Sequence, residues 1–294
     1  MDKIEHLKNF SLKDFCTIKI GGVGKVVFFP KNVEEISFLI REYGKENIFP
    51  LGIGSNLIFS DGFIDKVFIH SKNLKKCEIT QENDIFYLTL EAGVSFKTIN
   101  NIVKKYNLEG FENLSGIPAT VGGAVAMNAG AYGSEIFDIL EEVWWIDKDG
   151  NLIHSKKQDI KHYYRYSQFQ EEGFVYKVKI KLKKSNKDIS SIIKQHLLDR
   201  NKKQPLDLPT AGSTYKNPPQ TYAGKLIEQV GLKGYRINDI GFSSKHANFL
   251  VNYKDARFKD LINLLELAEK KVYEKFGIQL EREVKIVEHH HHHH

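Results

Sequence analysis

Ser115-Gly116-Ile117-Pro118-Ala119-Thr120-Val121-Gly122-Gly123-Ala124-Val125-Ala126-Met127-Asn128-Ala129-Gly130-Ala131-Tyr132-Gly133 is a run almost without bulky side chains, hard to explain as ordinary core. A segment so depleted lets the backbone lie against a flat or elongated ligand, its N–H groups serving as donors to phosphates and ring heteroatoms. A close-packed, glycine-rich helix junction is the plain alternative. Upstream, Gly52-Ile53-Gly54-Ser55-Asn56 follows the apolar run Ile48–Leu51. It is not an ordinary dinucleotide fingerprint, because Leu57 stands where G-x-G-x-x-G needs its third glycine and no helical pattern follows at once. Small residues straight after a strand still let N–H groups approach a pyrophosphate, while a tight turn alone is the competing reading.

Outward from these loops the chain alternates strands and helices. Val26–Phe29 reads as a strand closed by Pro30, after which Val33, Ile36, Leu39, Ile40 and Tyr43 recur at helical spacing up to Gly44. Ile48–Leu51 and Val67–Ile69 are further strands. Ile85–Leu90 leads through Ala92-Gly93 to a helix capped by Ser95 and carrying Phe96, Ile99, Val103 and Tyr106. Asp147-Lys148-Asp149-Gly150, between Glu142–Trp145 and Leu152–His154, predicts a hairpin, and Phe174–Leu182 is a strand of alternating apolar and basic residues. The polar run 183–188 marks a boundary before a helix over Ile189–Arg200. Phe258, Leu261, Ile262, Leu265, Ala268, Val272 and Phe276 then define a long amphipathic helix ending at Gly277, with a short strand at Val284–Val287.

Composition sets the outer bounds. Of 294 residues, His289–His294 read as an expression tag, and the remainder suffices for two or three domains with a sizeable core. The start Met1-Asp2-Lys3-Ile4-Glu5-His6 lacks the apolar run of a signal peptide and no stretch is apolar for the length of a membrane span, so a cytoplasmic protein without membrane insertion is expected. Cys16 and Cys77 lack any partner spacing; no disulfide framework, zinc site or other metal is expected, and both read as buried small hydrophobes. The net charge of +6 is modest and its lysines and arginines are scattered, which suits an anionic small substrate. Lys181-Leu182-Lys183-Lys184 reads as a solvated loop end, so no nucleic acid is expected as partner, and no obligate protein partner is evident.

Five further motifs accompany the glycine loops in a fixed order: Cys16-Thr17-Ile18-Lys19-Ile20-Gly21-Gly22, Tyr164-Arg165-Tyr166-Ser167, Ala211-Gly212-Ser213-Thr214-Tyr215-Lys216-Asn217-Pro218, Lys245-His246-Ala247-Asn248-Phe249 and Leu280-Glu281-Arg282-Glu283-Val284. In them the chain resembles the MurB family, the UDP-N-acetylenolpyruvoylglucosamine reductases, from about Asp14 to about Val287. The resemblance implies an α+β fold: a two-part FAD-binding module of the vanillyl-alcohol-oxidase (PCMH) type over 1–70 and 71–184, then a C-terminal α/β substrate-binding domain over 185–288. It implies that FAD is held by Gly52, Ile53, Gly54, Ser55, Asn56 and Leu57, and by Ser115, Gly116, Ile117, Pro118, Ala119, Gly122, Gly123, Ala124, Asn128, Gly130 and Ala131. The first loop contains no His, so FAD is expected to be bound non-covalently. UDP-N-acetylenolpyruvoylglucosamine is the implied substrate and NADPH the implied source of electrons, in peptidoglycan precursor synthesis.

An enol ether conjugated to a carboxylate accepts hydride at its terminal carbon, and the charge left behind needs electrostatic stabilisation and then a proton. Reduced flavin is a competent donor. Arg165 matches the family's catalytic arginine and offers a permanently charged fork, whereas a lone Arg would read as a surface salt bridge. Glu283 matches a glutamate thought to steady the enol intermediate, a task that as a hydrogen-bond donor requires a raised pKa. Arg282 departs from the proline of many relatives. Ser213 matches the serine proposed to protonate the carbanionic carbon; alone, Gly212-Ser213-Thr214 reads as a turn or N-cap. Lys203 and Asn217 resemble substrate-binding positions, and His246 and Asn248 face either flavin or core. The C-terminal part leaves no room for the tyrosine-bearing loop of some relatives, which implies the shorter subtype. The competing functions are an FAD-dependent oxidase of the same superfamily and a non-catalytic nucleotide-sugar binding protein.

Overall fold

Lysines and apolar residues alternate along Phe174–Lys184, which puts Val178, Ile180 and Leu182 on one buried face and the lysines on the other. In the computed structural model, which describes residues 3–288, that strand is central to an antiparallel sheet. Leu140–Ile146 and Ile85–Glu91 flank it, Leu152–Lys156 and Cys77–Glu82 form the edges, and Leu108–Glu109 pairs with its far end. The Asp147–Gly150 hairpin turn is held by Asp147 Oδ1, which accepts from the N–H groups of Asp149 and Asn151, both at 2.9 Å.

Helix α1 spans Val33–Tyr43, α2 Phe96–Tyr106 and α3 Val121–Met127. Asn32 caps α1, Gly44 at φ 82° ends it, and its Ile36, Leu39 and Ile40 pack with Ile48, Val67 and Ile69. Strand Ile48–Leu51 runs parallel to residues 67–70. Ser95 caps α2 and Asn107, left-handed at φ 54°, closes it. Ile99 and Val103 of α2, with Val121 and Val125 of α3, share one core with Leu88, Leu90, Val178 and Ile180. All of these residues lie in the first of two compact units, formed by the N-terminal stretch to Lys8, Val26–Gly52 and Lys66–Leu198.

The second unit comprises Asn9–Lys25, Ile53–Asp65 and the chain from Asp199 onward, the passage falling within α4, Ile189–Lys203. Its antiparallel sheet has the order Thr210–Ser213, Phe249–Asn252, Ile240–Phe242, Arg236–Ile237. Helix α5 covers Ala223–Gln229 and α6 Phe258–Phe276. Leu261, Leu264, Leu265, Ala268 and Val272 of α6 are buried at helical spacing, and Gly277 at φ 66° stops the helix. Leu57–Phe59 and Lys285–Val287 pair in parallel.

Packed helices over largely antiparallel sheets make the class α+β. Every long helix and strand expected from periodicity is present, whereas α3, α5 and the short strands of the second unit's sheet carried no such signal. Cys16 is buried as expected, but Cys77 is exposed, because it opens an edge strand whose residues are all exposed. The tag reading at 289–294 lies outside the described residues. Among the described residues no helix is long and apolar enough to cross a membrane, and no cluster of metal-ligating side chains occurs.

Leu264 is fully buried in α6. Leu264→Ala removes that side chain and leaves a cavity, with an expected loss of about 2–5 kcal/mol in stability, read as a lowered urea midpoint by circular dichroism.

Candidate active site

In the first unit the glycine-rich run folds as a short helix because it is capped at both ends. Thr120 Oγ1 accepts from Gly123 N–H at 3.3 Å, and Asn128, left-handed at φ 48°, closes the last turn. A Cβ at Gly122 would lie 2.7 Å from that of Ala92, so glycine lets α3 settle directly on the end of a sheet strand. There Val121 N–H reaches Val94 O at 2.8 Å and Gly122 N–H reaches Ala92 O at 2.9 Å. These first-turn donors are therefore committed within the protein. Pro118 and Gly123 stay exposed, and between Ser115 and Thr120 the chain has no regular structure. The other loop meets this segment: a Cβ on Gly52 would lie 2.7 Å from Thr120 Oγ1. The residues fit FAD, since bare backbone and small side chains are presented where a ring system or diphosphate needs close approach.

The same helix holds Arg165. His162–Tyr163 and Tyr166–Ser167 form a tight hairpin whose turn carries Arg165 at φ 54°, a left-handed conformation that turns usually give to glycine or asparagine. Three hydrogen bonds tie this hairpin to the glycine-rich run: Asn128 Nδ2 to Tyr163 O at 2.8 Å, Ser167 Oγ to Ala126 O at 2.7 Å, and Arg165 Nη2 to Gly130 O at 3.1 Å. The guanidinium lies 4.7 Å over the Tyr164 ring and 4.0 Å from Glu135 Oε1, with its side chain 16% exposed. Tyr163 and Tyr166 stack at 4.2 Å. Arg165 is thus a half-enclosed cation on a strained turn, anchored to the segment expected to carry the cofactor.

In the second unit three stretches converge. Thr17 N–H reaches Gly54 O at 3.0 Å and Thr17 Oγ1 reaches Thr210 O at 2.6 Å, joining the loop at 53–57 to the strand of Ser213. Gly54, at φ 74°, has no room for a Cβ against the Phe15 carbonyl. A Cβ on Gly212 would stand 3.7 Å from Ser55 O. Glu283 N–H reaches Thr214 O and Lys285 N–H reaches Asn56 O, both at 2.8 Å. The structure therefore brings Ser213, Glu283 and the second half of the first glycine loop together within this unit.

The remaining candidates have structural partners. Asn248 is buried and exchanges hydrogen bonds with Tyr215, accepting from its N–H at 3.0 Å and donating to its carbonyl at 2.9 Å, as a satisfied core amide does. His246 Nδ1 accepts from Asn248 N–H at 3.2 Å, and burial, with Lys233 nearby, holds this imidazole below its usual range. Asn217 Oδ1 accepts from Ala223 N–H at 3.0 Å and so starts α5. Lys203, on the last turn of α4, pairs with Asp199 at 3.0 Å and is well exposed.

Sequence reading gave no role to Thr17, His70 or Glu269. Thr17 lies inside a quoted motif, but its two carbonyl partners are distant in sequence. Glu269 looks like one more solvent-facing charge of α6, yet it accepts two hydrogen bonds from Arg282, at 2.8 and 3.1 Å, and one from Tyr215 Oη at 2.8 Å. Burial and this carboxylate push the Tyr215 phenol well up, keeping it a donor.

Comparison with known proteins agrees with the geometry. The family described as "FAD binding domain" matches residues 24–156, and "UDP-N-acetylenolpyruvoylglucosamine reductase, C-terminal domain" matches 204–287. The chain is similar to the UDP-N-acetylenolpyruvoylglucosamine reductase of Aquifex aeolicus, 42% identical over 96% of this chain and 95% of that one. The reductase of Fusobacterium nucleatum is 37% identical over 95% and 98%. Among solved structures, the reductase of Thermus caldophilus superposes with TM-score 0.81 at 31% identity, covering 97% of this chain and 98% of that one.

His70 backs the Gly52 loop. Its Nδ1 accepts from Lys72 N–H at 3.0 Å, and burial, then Lys72, push its pKa down to about 4, partly offset by a hydrogen bond with the Gly52 backbone. The unfolded chain takes up the proton near pH 6.5 and the folded one only near 4, so the contribution of His70 to stability is present above about pH 6.5 and is lost as pH falls toward 4. Urea midpoints measured across that window should fall in the native protein, and His70→Asn should flatten the slope.

Proposed function

The chain belongs to the UDP-N-acetylenolpyruvoylglucosamine reductase family, and from that membership we infer that it reduces the enolpyruvyl ether of this UDP-sugar to UDP-N-acetylmuramate, with FAD as carrier, in peptidoglycan precursor synthesis. NADPH supplies the electrons, and the setting is the cytoplasm of a cell whose shape and division depend on its wall. FAD rests non-covalently on the loops at 52–57 and 115–131, in the parts 1–70 and 71–184, and substrate on the part 185–288. When bound and reduced, FAD supplies the hydride that adds to the terminal alkene carbon.

The chain's own residues manage the charge that this addition creates. Arg165 pairs its guanidinium with the substrate carboxylate, onto which negative charge spreads, and its anchorage to Gly130 O fixes the fork before substrate arrives. Glu283 steadies the enol oxygen as a hydrogen-bond partner. Ser213 delivers a proton to the carbon that carries the ether oxygen, completing the lactyl group. Lys203 offers a mobile positive charge to the diphosphate, and Asn217, beside its duty at α5, offers its amide N–H. We read the chain as the shorter subtype without the tyrosine loop.

The observation that carries the reading is Arg165 itself. Its side chain is only 16% exposed, its guanidinium fixed by Gly130 O and laid over the Tyr164 ring, and its left-handed backbone, at a cost of roughly 1–2 kcal/mol, is held by the hairpin.

The test is anaerobic: NADPH should bleach the flavin bands, and the UDP-enolpyruvyl-sugar should restore them with formation of the lactyl ether, equimolar with flavin. Arg165→Met should keep the bleaching and slow the return by about a hundredfold or more. Reoxidation by oxygen alone would mean an oxidase, and a protein that takes up no FAD would end the flavoenzyme reading.

A further inference from the structure

Residues 281–284 reach the core of the second unit through main chain and side chain at once. Lys216 N–H reaches Glu281 O and Glu283 N–H reaches Thr214 O, both at 2.8 Å, and Tyr215 and Arg282 form an antiparallel bridge. Arg282 leaves toward α6, where its Nε and Nη2 grip both oxygens of Glu269, and the fully buried Tyr215 donates to the same carboxylate. Glu283 is the next residue along the chain, and its own N–H is the one that Thr214 O holds.

We propose that Glu269 and Arg282 are positioning residues that fix the orientation of Glu283 during enol stabilisation, with Tyr215 locking the pair. This rests on the reading that Glu283 acts on the enol. A planar fork on a carboxylate defines direction as well as distance, which a single ammonium contact does not. Both side chains are about three-quarters shielded, at 28% and 26% exposure, so water competes weakly for the contact. The main-chain bonds set where residue 283 sits, and the Arg282 fork sets how the stretch is rotated about its own axis. A carboxyl that must meet an enol oxygen within a few tenths of an ångström depends on that rotation.

The experiment follows the two half-reactions separately in the holoenzyme. Arg282→Met should retain FAD and keep the rate of bleaching by NADPH, while flavin reoxidation by the UDP-enolpyruvyl-sugar slows by about ten- to a hundredfold at saturating substrate. Arg282→Lys should recover part of that loss. In a Glu283→Gln background Arg282→Met should add nothing further, because its effect passes through Glu283. Glu269→Gln, which keeps volume and an acceptor for Tyr215, serves as the second variant if Arg282→Met does not fold, and should slow the same half-reaction. Equal slowing by Arg282→Met in both backgrounds, or a lowered Tm with reoxidation unchanged, would overturn the proposal. If Glu283→Gln is itself slow while Arg282→Met and Glu269→Gln reoxidise at the native rate, the positioning idea alone fails. A Glu283→Gln variant at the native rate would instead remove the reading of Glu283, and this proposal with it.

Discussion

The seating of α3 on the end of the Ile85–Glu91 strand governs the first unit. It depends on one missing atom, the Cβ of Gly122, whose place is only 2.7 Å from the Ala92 methyl. With that contact closed, the first two N–H groups of the helix find the Ala92 and Val94 carbonyls, and its far end is delivered where Asn128 can hold Tyr163 and Ser167 can reach Ala126. The glycine run is therefore a joint, with Pro118 and Gly123 left exposed within it. The close-packed helix junction describes Gly122, which closes the packing, whereas Gly123 is left open to the outside.

Arg165 shows how such a joint is used. Its backbone is held in the left-handed region by the hairpin, and its side chain is held by Gly130 and Tyr164, so neither end is free to relax the other. The second unit has a different economy. Asn248, Tyr215, Glu269 and Arg282 form a polar chain with each buried group paired, which orders the segments of Ser213 and Glu283 by direction rather than by fit alone.

Much of this architecture was legible because period and caps are local. α1, α2 and α6 announced themselves by apolar spacing and by Ser95, Gly44 and Gly277, and the hairpin at Asp147–Gly150 by its turn residues. α3 escaped because seven residues with two adjacent glycines have no propensity for helix, and its stability comes from Thr120, Asn128 and the sheet beneath. The strands of the second sheet escaped because runs of two to four residues show no period. Arg165, Ser213 and Glu283 were singled out through motifs, but motifs gave no hint of the contacts that Thr17, His70 and Glu269 make with residues distant in sequence. Linear boundaries likewise could not anticipate units woven from separated stretches.

The parallel pairing of Leu57–Phe59 with Lys285–Val287 has a consequence for biogenesis. The first of these strands leaves the ribosome early and its partner roughly two hundred residues later, so this ladder has very high contact order. Until the late strand arrives, Leu57, Ile58 and Phe59 are an apolar segment with an open edge, the kind of surface that chaperones bind and that aggregates when crowded. The loop at 53–57 is thus completed only once the chain has been made through Val287.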